Sequence, residues 1–228
     1  MLAEIRDNDN KSIRLIIADD HPIIRYALKN LIKDNNKDNN MVVVAEAKNC
    51  NELINLLEET IFDLLIINIS IPGYLAGPAL VKTIIGKWKN HPPILVFSLS
   101  NDTRVASAIL RAGASGYLTK NSEPSQFLEA INQIMVGGKY VCPVIAEKIL
   151  FNPAKEAEIL PPQKILTRRE YQIFLKLLDG KSIDTVASEL CISRQTVGTH
   201  KTRLMKKLEL QSNVDMIRYA WYHGLFAF

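Results

Sequence analysis

Short apolar runs alternate with longer segments of helical period over the first 140 or so positions. Ile13 to Ala18, Val42 to Ala45, Leu64 to Ile69, Ile94 to Ser98 and Gly116 to Thr119 are brief, nearly continuous apolar runs, the pattern of strands buried on both faces. Between them lie amphipathic segments. One opens at Pro22, where proline suits a first helical turn, and places Ile23, Ala27, Leu28, Leu31 and Ile32 on one side. Others run from Asn51 to Glu59, Gly77 to Lys87, Thr103 to Ala112 and Pro124 to Val136. Strand and helix in strict alternation predict an α/β fold with a five-stranded parallel sheet, doubly wound by helices. In such a sheet a ligand crevice forms at the carboxyl ends of the strands. Asp19, Asp20, Asn68, Ser98 and Lys120 all fall at or just past strand ends, with Tyr117 inside the last strand.

From residue 139 to residue 162 the periodicity weakens and prolines accumulate, so this stretch is expected to be a linker between a domain over 12–138 and one over 163–228. The second domain is expected to be small and all-α, with four helices. Thr167 and Glu170 form a capping box, and Ser182, Ser193 and Ser212 can each cap a helix. The tight turn at Cys191, Ile192 and Ser193 between the second and third helices is a helix-turn-helix arrangement.

Charge sharpens this division. The net charge is +4 over 228 residues, yet residues 164–228 carry 11 Lys/Arg against 6 Asp/Glu and the remainder 17 against 18. The positive excess is therefore confined to the helical domain, where it would attract a polyanion. Its third helix bears Arg194, Lys201, Arg203, Lys206 and Lys207 and no acidic residue. Double-stranded DNA is the expected partner, met by Arg194, Gln195, Thr196, Thr199, His200, Lys201, Thr202, Arg203 and Lys206, with Gln195, Thr196, Thr199 and Thr202 facing base edges and Lys201, Arg203 and Lys206 holding the backbone. The three cysteines and four histidines lack the spacing of a zinc site or disulfide framework, and buried free thiols are expected. No apolar run approaches the ~20 residues of a membrane span and no signal peptide is evident, so a cytoplasmic location is expected.

Leu166-Thr167-Arg168-Arg169-Glu170 and the run from Val186 to His200 resemble the LuxR-type DNA-binding domain. Gly198 departs from it, since the family often carries lysine there, and this implies modest DNA affinity. The last helix of that family pairs two domains, which implies a homodimer through Asn213, Met216, Ile217, Tyr219 and Ala220, with simple intradomain packing as the alternative. Residues 12–138, with the acidic pair Asp19-Asp20, the hydroxyl of Ser98 and Lys120 after Gly116-Tyr117-Leu118-Thr119, resemble the flavodoxin-like receiver domain of response regulators. The two together resemble the NarL/FixJ family of two-component transcription regulators, which implies a histidine kinase or partner regulator upstream. The phosphoacceptor position of the resemblance is Asn68, and a neutral amide cannot form an acyl phosphate. Mg2+ at Asp19 and Asp20 is then expected to be weakened, and no catalytic residue or enzyme activity is expected. A natural loss of phosphotransfer, an introduced Asp-to-Asn change and an adaptor that acts by heterodimerisation all remain open at this point.

Overall fold

A computed structural model describes residues 12–35, 40–73, 75–88, 91–151, 162–222 and 225. The chain divides into two compact units, Met1–Pro153 and Ala154–Phe228.

In the first unit β1 (Ile13–Ala18), β2 (Met41–Ala47), β3 (Leu64–Ile67), β4 (Ile94–Ser98), β5 (Gly116–Thr119) and β6 (Tyr140–Val141) form one sheet, ordered β2-β1-β3-β4-β5-β6. All its pairings are parallel. Between the strands run α1 (Pro22–Asp34), α2 (Cys50–Glu59), α3 (Gly77–Lys87), α4 (Thr103–Arg111) and α5 (Pro124–Met135). The central strands β3 and β4 are buried along their whole length, which is why their sequences are continuously apolar. At the edge, β2 leaves Val42 and Val44 partly in water and reads as an alternation. Strand order reverses between β1 and β3, so their carboxyl ends open a crevice at the switch point.

The sheet is one strand wider than the apolar pattern predicts. Tyr140 N donates to Ser115 O and Cys142 N to Tyr117 O, extending the β5 edge into the segment expected as a linker. Two residues are too few to give a periodic signal. The next helix, α6 (Pro143–Phe151), buries Ile145 and packs on α4, so residues 140–151 belong to the first unit. The rest of the expected linker, 152–161, lies outside the described residues.

Local chemistry sets several element ends. Asn49 and Asp102 accept from the amides of Glu52 and Arg104 as N-caps, each worth about 1 kcal/mol. Gly73, in the loop after β3, has φ +145°, and a Cβ there would lie 2.3 Å from Cys50 Cβ. That close approach, with Cys50 N donating to Pro72 O at 2.8 Å, pins the loop to the start of α2. Tyr74, in that loop, lies outside the described residues.

The second unit holds α7 (Pro162–Ile165), α8 (Arg168–Leu178), α9 (Ile183–Glu189), α10 (Arg194–Lys207) and α11 (Asn213–Tyr222). The short α7 precedes the four helices expected. Thr167 and Glu170 form the capping box of α8, and Ser182 and Ser193 accept from the amides of Thr185 and Thr196. Asp215 N donates to Ser212 Oγ at the start of α11. Phe174, fully buried, packs edge-on against Tyr219 at 6.3 Å, and Val186, Val197 and Leu204 complete the core. Cys191 turns the chain between α9 and α10 with φ +52° and is exposed, whereas Cys50 and Cys142 are buried. A left-handed turn residue at the surface cannot also fill a core, so buried thiols hold for two of the three.

Candidate functional site

The crevice of the first unit gathers residues from the ends of β1, β3, β4 and β5. Asp19, Asn68 and Ser98 are all buried there. Lys120, following β5, reaches back so that its Nζ lies 2.5 Å from Asp19 Oδ2, both side chains at most 4% exposed. Asp19 Oδ2 has no well-aligned hydrogen-bond donor, so the contact is an ion pair held by charge. The other oxygen, Oδ1, accepts from His21 N at 2.9 Å and lies 3.1 Å from His21 Nδ1. That same Nδ1 is 3.1 Å from Asp20 Oδ1, so His21 bridges the acidic pair.

Asn68 takes part in two directed contacts. Its Nδ2 donates to Asp20 Oδ1 at 3.0 Å, and its Oδ1 accepts from Ser70 N at 3.2 Å. This orientation is chemically required, because the reversed amide would oppose two acceptors at Asp20 and two donors at Ser70. The side chain at the end of β3 thus satisfies a carboxylate from within the protein. Ser98 Oγ accepts from Ser100 N at 3.2 Å. Tyr117 is fully buried, its hydroxyl donating to Ser100 O at 2.9 Å, and burial pushes its pKa up despite its hydrogen bonding with Ser98 and Ser100. Asp63 lies at the other end of β3, where it pairs with Arg14 at 2.9 Å.

Asp19, Asp20 and His21 bring potential ligand atoms within 4.8 Å of one another. Two carboxylates with a poorly satisfied buried oxygen suit a hard cation. The amide nitrogen of Asn68 pointing at Asp20 does not, since it offers a donor where a cation needs an acceptor. The acidic pair therefore fits Mg2+, and position 68 opposes it as oriented.

The apolar pattern left a support network unseen. Arg25 donates to Asp19 O at 2.7 Å and to Glu46 at 3.1 Å, and Lys29 reaches the same Glu46 at 2.5 Å. Burial would raise the Glu46 pKa, but the two cations outweigh it and leave it lowered. Arg25 and Lys29, four apart on α1, signalled a shared basic face, whereas Glu46 came to it only through the sheet. His21 is legible in the sequence as the neighbour of the acidic pair, but only the fold shows it bridging Asp19 and Asp20.

In the second unit α10 buries Val197 and Leu204 and exposes Arg194, Gln195, Thr196, Thr199, Thr202, Arg203 and Lys206, while Lys201 and His200 are half-buried. His200 Nδ1 is buried without a hydrogen-bond partner. Thr196 is engaged with its cap, its Oγ1 2.8 Å from Ser193 Oγ. Arg194 lies 3.4 Å from Asp184, with both side chains exposed. A Cβ on Gly198 would meet nothing within 4 Å. Lys207 pairs at 2.7 Å with Glu170, which is 3% exposed, tying the end of α10 to the start of α8. Of the residues expected at a dimer contact, Met216, Tyr219 and Ala220 are buried in the unit's own core, because α11 needs an apolar face to close it. Asn213 and Ile217 are exposed.

No helix among the described residues is long and apolar enough to cross a membrane. Residues 15–132 match the family model of the response regulator receiver domain, and 164–220 that of bacterial regulatory proteins of the luxR family. The chain is similar to the response regulator GacA of Pseudomonas viridiflava, 26% identical over 93% of this chain and 97% of that protein. It is also similar to the response regulator UvrY of Escherichia coli K12, 24% identical over 93% and 95% respectively. Among solved structures, RcsB from Salmonella enterica serovar Typhimurium bound to promoter P1flhDC superposes with a TM-score of 0.68 at 23% identity, over 95% of this chain and 100% of RcsB. The isolated receiver domain of RcsB superposes with a TM-score of 0.56 at 27% identity, over 60% of this chain and 98% of that domain. The crevice with its acidic pair and the basic helix of the helix-turn-helix thus occur in the two regions that match these models, and the chain belongs to the NarL/FixJ-type response regulators, with a receiver domain followed by a LuxR-family DNA-binding domain.

Proposed function

We propose that this response regulator controls transcription in the cytoplasm without accepting a phosphoryl group at position 68. The observation that carries this is the side chain of Asn68, whose amide donates to Asp20 where phosphotransfer requires a nucleophilic carboxylate. Around it Asp19, Asp20, Ser98, Tyr117 and Lys120 retain the make-up of a receiver site, and Asp19 with Asp20 would hold Mg2+ with one negative charge fewer than three carboxylates provide. No catalytic step is assigned to the chain.

The DNA-binding domain, residues 163–228, engages duplex DNA with α10 in the major groove. Gln195, Thr196, Thr199 and Thr202 lie toward base edges, and Arg194, His200, Lys201, Arg203 and Lys206 toward phosphates. It acts as a homodimer whose contact falls to Asn213 and Ile217 on the outer face of α11, since Met216, Tyr219 and Ala220 are committed to the core. The domain over 12–138 sets this assembly through an equilibrium between two states, biased by a partner regulator or a kinase that recognises it without phosphotransfer. The bare surface at Gly198 favours a second reading, an adaptor that pairs with another regulator and adds little DNA contact of its own.

The test compares the unaltered chain with Asn68→Asp for phosphoryl uptake from acetyl phosphate, by intact mass, with dimerisation and DNA binding followed in the same samples. Uptake confined to the variant is expected. Uptake by the unaltered chain overturns the proposal, and salt-sensitive binding of a homodimer to a defined duplex removes the adaptor.

A further inference from the structure

The residues of α10 opposite its buried seam share one hydrogen-bonding character. Val197, Leu204 and Leu208 face the core, and the stripe across from them is Gln195, Thr199, Thr202 and Lys206, spaced by four, three and four residues and exposed throughout. Two of these have their hydroxyl protons already committed. Thr199 Oγ1 donates to Gln195 O at 3.0 Å, and Thr202 Oγ1 donates to Gly198 O at 3.1 Å. Such bonds to the preceding turn are a habit of threonine in helices, and here their consequence is chemical. Each side chain is left with lone pairs and a methyl group to offer a partner, and no donor.

In the major groove a group with an acceptor and a methyl but no donor matches one base pair best. Adenine presents its N6 amino group and the paired thymine its C5 methyl, so an A·T pair meets both halves of a threonine side chain. Guanine presents O6 and N7, which ask for a donor that Thr199 and Thr202 lack. Cytosine supplies an amino donor but no methyl. Gln195, one turn toward the N-terminus, is suited to the N6 and N7 edge of adenine. The arginine Arg194, suited to guanine, is off this stripe and held toward Asp184. We propose that α10 reads an A·T core in each half-site, with Thr199 and Thr202 as specificity-determining residues that contact thymine methyl groups. Gln195 to Thr202 spans about 10 Å of helix, the length of about three base-pair steps. The inference rests on the placement of α10 in the major groove proposed above.

The test begins with the full chain and a randomised duplex library, from which bound duplexes are selected and sequenced. Uracil then replaces thymine one position at a time in the selected duplex, which removes only a methyl from the DNA and leaves the protein untouched. Affinity is measured for the unaltered chain, Thr199→Ser and Thr202→Ser; serine keeps the hydroxyl and lacks the methyl. An A·T core is expected, with about a fourfold loss at one or two uracil positions, the equilibrium equivalent of withdrawing one buried methyl. The matching serine variant should bind the thymine duplex about fourfold more weakly and be indifferent to uracil there. Selection of a G·C core, or indifference of the unaltered chain to uracil at every position, overturns the inference and leaves DNA binding standing. Retention of no duplex at low salt overturns both.

Discussion

Replacing Asn68 by aspartate should turn a satisfied pocket into a repulsive one until a cation enters it. The variant loses the donor that Asn68 Nδ2 supplies to Asp20 Oδ1 at 3.0 Å, a hydrogen bond to a charged group worth about 1.5–3 kcal/mol. It also sets two carboxylates against each other, which at that separation costs ~5 kcal/mol for an effective dielectric constant of ~20. Protonating one of them caps the cost at about 4 kcal/mol at pH 7, the work of holding a carboxyl with an ordinary pKa near 4 in its neutral form. The Asp20 side chain is 30% exposed, so solvent screening reduces this further. A net loss of roughly 2–3 kcal/mol follows. The folded-state pKa of the new pair is raised above its unfolded value, so the penalty is absent below about pH 4 and grows as pH rises toward 7. Urea denaturation of both proteins, with EDTA and with Mg2+, reads all of this out. Mg2+ at a hundred times its Kd should return about 2.7 kcal/mol to the variant and much less to the unaltered chain. Equal stability of the two in EDTA at pH 7, or a variant indifferent to Mg2+, would refute the charge argument.

Lys120→Met leaves Asp19 as an uncompensated charge in a pocket where both partners are nearly inaccessible, and should cost about 3–5 kcal/mol of stability in the same assay. Gly198→Lys meets open space and adds a cation to α10, so it should raise DNA affinity and steepen the salt dependence by about one unit of log–log slope; it should also stabilise the helix by up to ~1 kcal/mol. Burial would raise the Glu170 pKa, yet Lys207 and the Thr167 amide hold it lowered. Its contribution to the second unit is thus present above the unfolded carboxylate pKa and is lost as pH falls through the folded value. Lys207→Met should flatten that acid limb in thermal melts of the full chain followed between pH 3 and pH 7.

The sequence by itself determined what depends on neighbours along the chain. Continuous apolar runs at β3 and β4 gave strands buried on both faces, prolines marked the first turns of α1, α3 and α5, and Thr167 with Glu170 and Ser193 with Thr196 fixed helix starts. These signals survive because a cap or a period is satisfied within a few residues. The ends of the strands likewise place Asp19, Asn68, Ser98 and Lys120 at a common edge of the sheet. Only the tertiary structure decided which of them touch. Lys120 against Asp19, Asn68 against Asp20 and Lys207 against Glu170 join residues 101, 48 and 37 positions apart, and no local pattern encodes a partner at that range. The same holds for β6, whose two residues become a strand only because β5 offers them a parallel edge, and for Met216, Tyr219 and Ala220, whose spacing suits a dimer face as well as it suits the core that claimed them. Periodicity tells which side of an element is apolar; what covers that side is decided by how the rest of the chain packs.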